Sequence, residues 1–401
     1  MSNLAVSLDG VDVSGVAIRG SSTRRLNRPS QAQITIPMDS AIGGAGSALK
    51  ISFDGQLHHH GRVLDCETDA GEDDGFTVYN STDPMELWRW RPVRDDDGDF
   101  SKPAVIETYQ FGPQIMEAIL NNSIDTTGGG GGPPPSDAEG ALFLDLGTFE
   151  GGDQLDLSGA PVDWPMTIAE VASLLISTGE VDIVITPTDP GGGVMGTVDV
   201  YNGDFGTNLS GSVVFQYGMG ALNVRRLRWN EDMSSMCNKL WYYGGPRIET
   251  AADPAGDQHW CWNITADDPG LADPPQTAIE TLRDASRLTY GVRMDITIWD
   301  ALSDLCLGEG SFDPGRELYR RLWQIESWIR AQPRELIHVT PIRGFGINAF
   351  DIGDLVGVEA GSQVRGGFSG AQRVYEYTVS WDEDGPFELS ELQTSSDSDG
   401  I

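Results

Sequence analysis

The chain has 401 residues, 39% of them apolar and 11 of them tryptophan, so it is long enough for two to four domains with a substantial core and too apolar to be disordered. Sixty-one Asp and Glu against 26 Lys and Arg give a formal charge of −35, which repels phosphate backbones and excludes tight wrapping around nucleic acid. The four cysteines, Cys66, Cys237, Cys261 and Cys306, form no Cys-x-x-Cys pair, and reduced thiols are expected. Met1 to Gly10 carries no basic-then-apolar leader, and no stretch approaches the roughly 18 apolar residues of a membrane span. The expectation is a chain made in a cytoplasm, not exported by a standard signal, with no membrane span. Only Lys50, Lys102 and Lys239 are lysines. Two explanations fit this balance: a protein kept soluble in very salty surroundings, where screening relieves self-repulsion, and a GC-rich genome that favours Arg, Asp and Gly.

The first hundred residues read as strands at Ala5–Leu8, Ala32–Ile36, Leu49–Phe53, Arg62–Glu67 and Phe76–Asn80, each closed by Gly, Asp, Asn or Pro. After the acidic turn at 95–99 the pattern changes. Pro113 opens a helix over Gln114–Asn121 with Ile115, Met116, Ile119 and Leu120 on one face. The glycines at 128–132 and prolines at 133–135 read as a flexible loop or exposed linker. A Thr-x-x-Glu capping box, Thr167 and Glu170, starts a helix whose apolar face is Ile168, Val171, Leu174 and Leu175 and which Gly179 ends. Asp182–Thr186 reads as a buried strand, with further strands at Gly211–Tyr217 and Lys239–Tyr243. Helices follow at Thr277–Tyr290, with a second capping box at Thr277 and Glu280, and at Pro314–Gln332.

One phrase occurs twice. From Arg62 and from Arg373 an alternating strand runs into an acidic Asp/Gly turn and returns as a second strand; aligned without a gap, Arg62 meets Arg373, Val63 meets Val374, Asp73 meets Asp384 and Phe76 meets Phe387. A short apolar strand precedes each copy, at Leu49–Phe53 and Asp354–Val358. Either these are two acidic hairpins of ordinary likeness, or they belong to two related small β-barrels. Two distant copies exclude a solenoid, which needs at least three adjacent repeats. The expected fold class is β-rich α+β: two related small antiparallel β-barrels with an α/β insertion and a helical segment between them. Residues 1–102 form the first barrel, completed by 211–250. Residues 103–210 form the insertion, with the Gly/Pro loop at 128–136; 251–332 form a loop and helical segment, 333–395 the second barrel, and 396–401 a flexible tail.

Several phrases resemble the tail-hub (baseplate hub) minor tail proteins of long-tailed siphovirus-type viruses. They are Tyr217–Val224 continuing to Met236–Leu240 and Gly244–Gly245, then Pro341–Arg343, Phe350–Val356, Gln372–Val374 and Asp382–Gly385, with an opening at Arg25–Pro37 and Asp54–Val63. Together they cover about three quarters of the chain, and their order and spacing carry the resemblance. The resemblance implies a homotrimer whose six barrels form a ring joining a sixfold tail tube to a threefold tip. It implies a distal tail ring protein on one side and receptor-binding or fibre proteins on the other. The tape-measure protein, and then DNA without specific binding, pass through the centre. The implied location is the virion tail tip, after synthesis and assembly in the host cytoplasm. The charge departs from ordinary hubs and suggests a virus of a halophilic archaeon. Alternatives are a receptor-binding tail-tip module and a hub carrying a glycan-degrading activity.

Catalytic patterns are absent from the sequence: it contains no Gly-x-Ser-x-Gly, His-Glu-x-x-His or Walker loop, and no enzyme activity and no cofactor are expected. No metal site is assigned, and its weak candidates are two. In a strand His58 and His60 share a face and His59 does not, so at most two reach one ion; a turn of a barrel strand is the alternative. Asp95, Asp97 and Asp99 imitate the start of a calcium loop, but Gly98 is misplaced and the closing Glu is missing.

Overall fold

The computed structural model describes residues 3–70, 75–93, 112–124, 143–150, 167–177, 181–191, 193–203, 205–218, 223–233, 239–246, 259–264, 288–289, 294–299, 334–342, 346–362, 364, 366–383 and 387–395. The first seven strands are β1 (Leu4–Leu8), β2 (Val11–Asp12), β3 (Arg19–Arg25), β4 (Gln31–Pro37), β5 (Ala48–Phe53), β6 (Gln56–Asp69) and β7 (Phe76–Thr82). Then come helix α1 (Gly112–Ile124), β8 (Leu144–Phe149), helix α2 (Ile168–Ser177), β9 (Asp182–Pro187), β10 (Gly196–Tyr201), β11 (Val214–Tyr217) and β12 (Val224–Asp232). The last are β13 (Lys239–Pro246), β14 (His259–Ile264), β15 (Met294–Trp299), β16 (Arg334–Pro341), β17 (Leu355–Ala360), β18 (Phe368–Trp381) and β19 (Glu388–Ser395). The fold is mostly β-sheet with few helices.

Thirteen strands make one sheet, in the order β12-β16-β19-β18-β3-β4-β7-β6-β5-β1-β2, with β11 and β17 branching from β18. Two smaller sheets are β8-β10-β9 and β14-β13-β15. The large sheet contains the same arrangement twice. β3, β4, β7, β6 and β5 pair antiparallel in that order, and so do β12, β16, β19, β18 and β17. The register repeats as well. Arg62 pairs with Thr82 and Val63 with Ser81 before a slip puts Asp65 against Asn80. In the second set Arg373 pairs with Ser395 and Val374 with Thr394 before a slip puts Glu376 against Gln393. The Gly46 amide donates to the Val63 carbonyl and the Val63 amide to Ser47; the Gly353 amide donates to Val374 and the Val374 amide to Asp354. Both glycines have positive φ, 89° and 82°, which a side chain would oppose.

The order of strands is an open path among the described residues, with β2 at one end and β12 at the other, so no closed barrel forms. Closure requires the terminal strands of a sheet to pair; here the two sets are instead joined edge to edge through β3 and β18. A second difference from the sequence reading concerns 211–250, expected to complete the first barrel. β11 pairs with β17 and β12 with β16, because the alternating face of β12 finds its partner in the C-terminal set.

The core of the large sheet gathers Leu8, Ile34, Ile36, Leu49, Ile51 and Phe53 with Phe215, Val339, Val356, Val374 and Leu392. A second core lies under α1 and α2, where Ile115, Met116, Ile119 and Leu120 are buried with Trp88, Ile168, Val171 and Leu175. The capping box forms as expected: the Thr167 amide donates to Glu170 Oε2 at 2.6 Å and the Glu170 amide to Thr167 Oγ1 at 3.3 Å. The expected Gly/Pro loop at 128–136, the helix Pro314–Gln332, most of Thr277–Tyr290 and the tail 396–401 lie outside the described residues, as do Cys237 and Cys306.

Candidate functional site at the seam between the two strand sets

β3 is a polar strand, Arg-Gly-Ser-Ser-Thr-Arg-Arg, that pairs with β18 across more than half the chain, from Gly20 against Trp381 to Arg25 against Glu376. Polar residues suit this position because β18 supplies partners. Arg25 Nε donates to Glu376 Oε2 at 2.6 Å, and the Thr23 and Thr378 hydroxyls meet at 2.9 Å. Gly20 is where Trp381 lies across the strand; a Cβ there would meet the indole at 2.2 Å and the Gln33 carbonyl at 2.7 Å.

Arg24 points to the buried side of the seam. Its Nη1 donates to Asp351 Oδ2 at 2.7 Å, and the Tyr377 hydroxyl donates to Asp351 Oδ1 at 3.1 Å. Burial works against the Arg24 charge as the largest single effect, but Asp351 and Tyr377 together outweigh it, so the guanidinium holds its proton more firmly than usual. Burial pushes the Tyr377 phenol up. The loop that carries Asp351 is set by Asp354, which accepts from the Asp351 amide at 2.8 Å and the Thr207 amide at 2.7 Å.

His58, His59 and His60, read from the sequence as a strand turn, sit inside β6 just beyond the Asp54–Gly55 turn, and all three are buried. The pairing of β5 with β6 slips beside them, between Ile51 and Ser52. Each has its own partner: His58 Nδ1 with Ser22 Oγ at 2.8 Å, His59 Nε2 with Ser81 Oγ at 2.9 Å, His60 Nδ1 with the Thr188 carbonyl at 2.6 Å. Burial pulls His58 well below the usual imidazole range, helped by Arg24; it lowers His60 and takes His59 to about 3. These are neutral core imidazoles that fix strand contacts, and His58 and His60 serve different partners. Among the described residues no three His, Cys, Asp or Glu side chains group as metal ligands. Asp95, Asp97 and Asp99 lie outside the described residues.

The seam opens as a concavity of about 410 Å³ whose wall includes Arg24, His58, Tyr377, Ile347, Phe350 and Asp351. His58 Nε2 and Arg24 Nε have no hydrogen-bond partner there. With the imidazole and phenol neutral and the guanidinium paired, this wall offers hydrogen-bond groups and no activated nucleophile.

A second polar joint ties the insertion to the sheet. Arg373 Nη2 donates to Asp182 Oδ2 at 2.5 Å and Nη1 to the Gly203 carbonyl at 2.7 Å, with the two side chains 5% and 2% exposed. Asn27, at φ 63°, donates to Asp182 Oδ1 at 3.0 Å and accepts from the Ile183 amide at 2.6 Å. Sequence reasoning missed β3, Arg24, Asp182 and Asp351. The available signal was the paired arginine, Arg24-Arg25, after a β-prone Ser/Thr run in a chain poor in cations.

No protein-family model matches the chain, and no characterised protein is significantly similar to it in sequence. Solved structures are similar in fold across its whole length. The 43 kDa tail protein of prophage MuSo2 from Shewanella oneidensis is 13% identical at a TM-score of 0.57, covering 100% of this chain and 99% of that one. The tail protein from Neisseria meningitidis MC58 is 10% identical at 0.57, covering 99% and 97%. Prophage tail protein gp18 from Listeria monocytogenes EGD-e is 11% identical at 0.52, covering 100% and 96%. Among the described residues no helix is long and apolar enough to cross a membrane. The chain has the fold of these phage tail proteins from end to end.

Proposed function

We propose that the chain is a structural component of a virus particle, the hub at a tail tip or baseplate. Fold likeness to tail proteins over the full length carries this reading, and the doubled five-strand set gives it a mechanism. A homotrimer of chains that each hold two alike sets has six quasi-equivalent positions, matching a sixfold tube on one face and a threefold tip on the other. The two sets are the related barrels of this proposal: residues 1–102 and 333–395 hold most of their strands, 224–232 joins the second, and 103–210 and 251–332 are insertions. A distal tail ring protein binds one face and receptor-binding or fibre proteins the other. The tape-measure protein and then DNA pass through a channel whose acidity prevents sticking. The work is geometric, without catalysis. The charge of −35 fits a virus of a halophilic archaeon of siphovirus type.

The test is the mass of the purified chain by light scattering on a sizing column, in molar potassium chloride. A trimer of 43.3 kDa chains is expected, and a monomer at every concentration and salt overturns the hub reading. The seam concavity favours a second reading, a receptor-binding tip module, which predicts that free protein binds host cells and blocks infection.

A further inference from the structure

The chain closes one of its seams by itself. Residues 376–381 of β18 accept β3 along their outer side, with Arg25 on Glu376. In the repeat, β6 corresponds to β18 and β12 corresponds to β3. The matching half of β6, from Asp65 to Asp69, is exposed throughout, and among the described strands β7 alone pairs with those residues. β12 ends the strand order, with β16 on one side and no described strand on the other.

The two edges carry opposite charges at Arg228 and Asp69. The side chains of Arg225, Arg226 and Arg228 on β12 are exposed and have no ion-pair or hydrogen-bond partner among the described residues, in a chain with 26 cations against 61 anions. The side chains of Glu67 and Asp69 on β6 are likewise exposed and without a partner among the described residues. Charges on an edge strand commonly serve to block pairing, but β12 carries Arg225, Arg226 and Arg228 ahead of Glu231 and Asp232, β6 carries Asp65, Glu67 and Asp69, and the chain already bridges such an edge with Arg25 on Glu376.

The register follows from the repeat. Thr82 and Ser395 correspond, since they pair with Arg62 and Arg373. Their next partners are Gln31 and Leu336, and beyond these Thr23 and Asn230. Thr23 pairs with Thr378, the counterpart of Glu67, so Glu67 falls opposite Asn230. Two residues along, Asp69 falls opposite Arg228; in the other direction Cys66 falls opposite Glu231 and Asp65 opposite Asp232.

Resting on the trimer reading above, we propose that β12 of one copy pairs antiparallel with the Asp65–Asp69 half of β6 in the next copy, Asp69 facing Arg228. Each copy offers one of each edge, so the contact is head-to-tail, and three contacts close a ring in which chain-internal and intermolecular seams alternate.

Cys66 is a free, exposed thiol on that edge, which makes the register directly testable. Cross-strand Cα atoms lie about 4.5–5.5 Å apart, within reach of a disulfide. E231C should give reducible dimers and trimers under mild oxidation in molar potassium chloride, and C66S/E231C should give none. R228D should raise the trimer dissociation constant at least tenfold, and D69R/R228D should bring it back. A wild-type trimer in which E231C forms no crosslink and R228D changes nothing overturns this seam while leaving the hub reading intact. A wild-type monomer that E231C also fails to crosslink overturns both.

Discussion

Arginine stands at the same point of the two strand sets, and its surroundings differ. Arg62 donates to the Gly46 carbonyl at 2.6 Å and lies over the Phe143 ring at 4.4 Å, near solvent. Arg373 is buried in a charged pair with Asp182 and holds two loop carbonyls of the segment after β10. The backbone frame is shared down to the slip after Val63 and Val374, so the frame needs neither environment. The difference lies in what the insertion does: it rests on the second set through a fixed charge, and on the first through Asn27 with Asp182 and Ile183, Lys50 with Asp189 and His60 with Thr188.

The largest effect should come from breaking the buried pair. R373A leaves Asp182 as an uncompensated buried charge and should cost about 3–5 kcal/mol in denaturant unfolding. The matching R62A removes a half-exposed contact and should cost about 0.5–1 kcal/mol. Equal losses at the two sites would show that the insertion does not load the second set.

Next in size is the response to pH, which separates the sets because the buried imidazoles belong to one of them. The positions matching His58, His59 and His60 in the second set are Ser369, Gly370 and Ala371. His59 is held at about 3, so the stability its neutral form contributes is present above the unfolded value of about 6.5 and is lost as pH falls toward 3. Hydrogen exchange at pH 7 and pH 4.5 should show protection falling in β5–β7 before β17–β19, by an amount on the order of a few kcal/mol. Asp83 works in the opposite sense. Burial raises it to about 7 although the Ser30 and Met85 amides donate to it, so its contribution is lost as pH rises from about 4 through 7. Simultaneous loss in both sets at pH 4.5 would mean that the imidazoles are not the cause.

Smaller again is the joint between the sets. G20A puts a methyl group into the Trp381 ring and against the Gln33 carbonyl, and should cost about 1–3 kcal/mol. Loss of exchange protection in β3 and β18 together, with β5 and β17 unchanged, is the expected pattern.

Where side chains declare their own face, the sequence was a sufficient guide. The apolar stripe of α1, the Thr167–Glu170 box and the alternating hairpins from Arg62 and Arg373 are local signals, and each has its place in the structure. β3 is different. Ser22 and Arg24 are buried because His58, Asp351 and Tyr377 arrive from elsewhere in the chain, and no periodicity marks a strand whose inner face is polar. The histidines were misread for a related reason: three adjacent polar residues imply a turn unless strands and loops on several sides each supply a partner, as β3, β7 and the loop at Thr188 do. The register of β12 was also out of reach, since its partner lies beyond an insertion of about a hundred residues, and loop closure of that length leaves no local trace.

The smallest effect tests the comparison most finely, because it concerns a place where the intermolecular seam must depart from its chain-internal template. Inside the chain the seam begins with Arg25 on Glu376. The matching pair between copies is Asp232 with Asp65, two carboxylates on neighbouring strands, which repel by a few tenths to one kcal/mol at this spacing. D232N removes that repulsion without changing the backbone, so it should tighten the trimer by about two- to fivefold at low salt and leave it unchanged in molar potassium chloride, where the charges are screened. Light scattering across a dilution series at the two salt concentrations measures this. A tighter trimer at low salt alone fixes the register to the residue, since a slip of one position turns Asp232 away from Asp65.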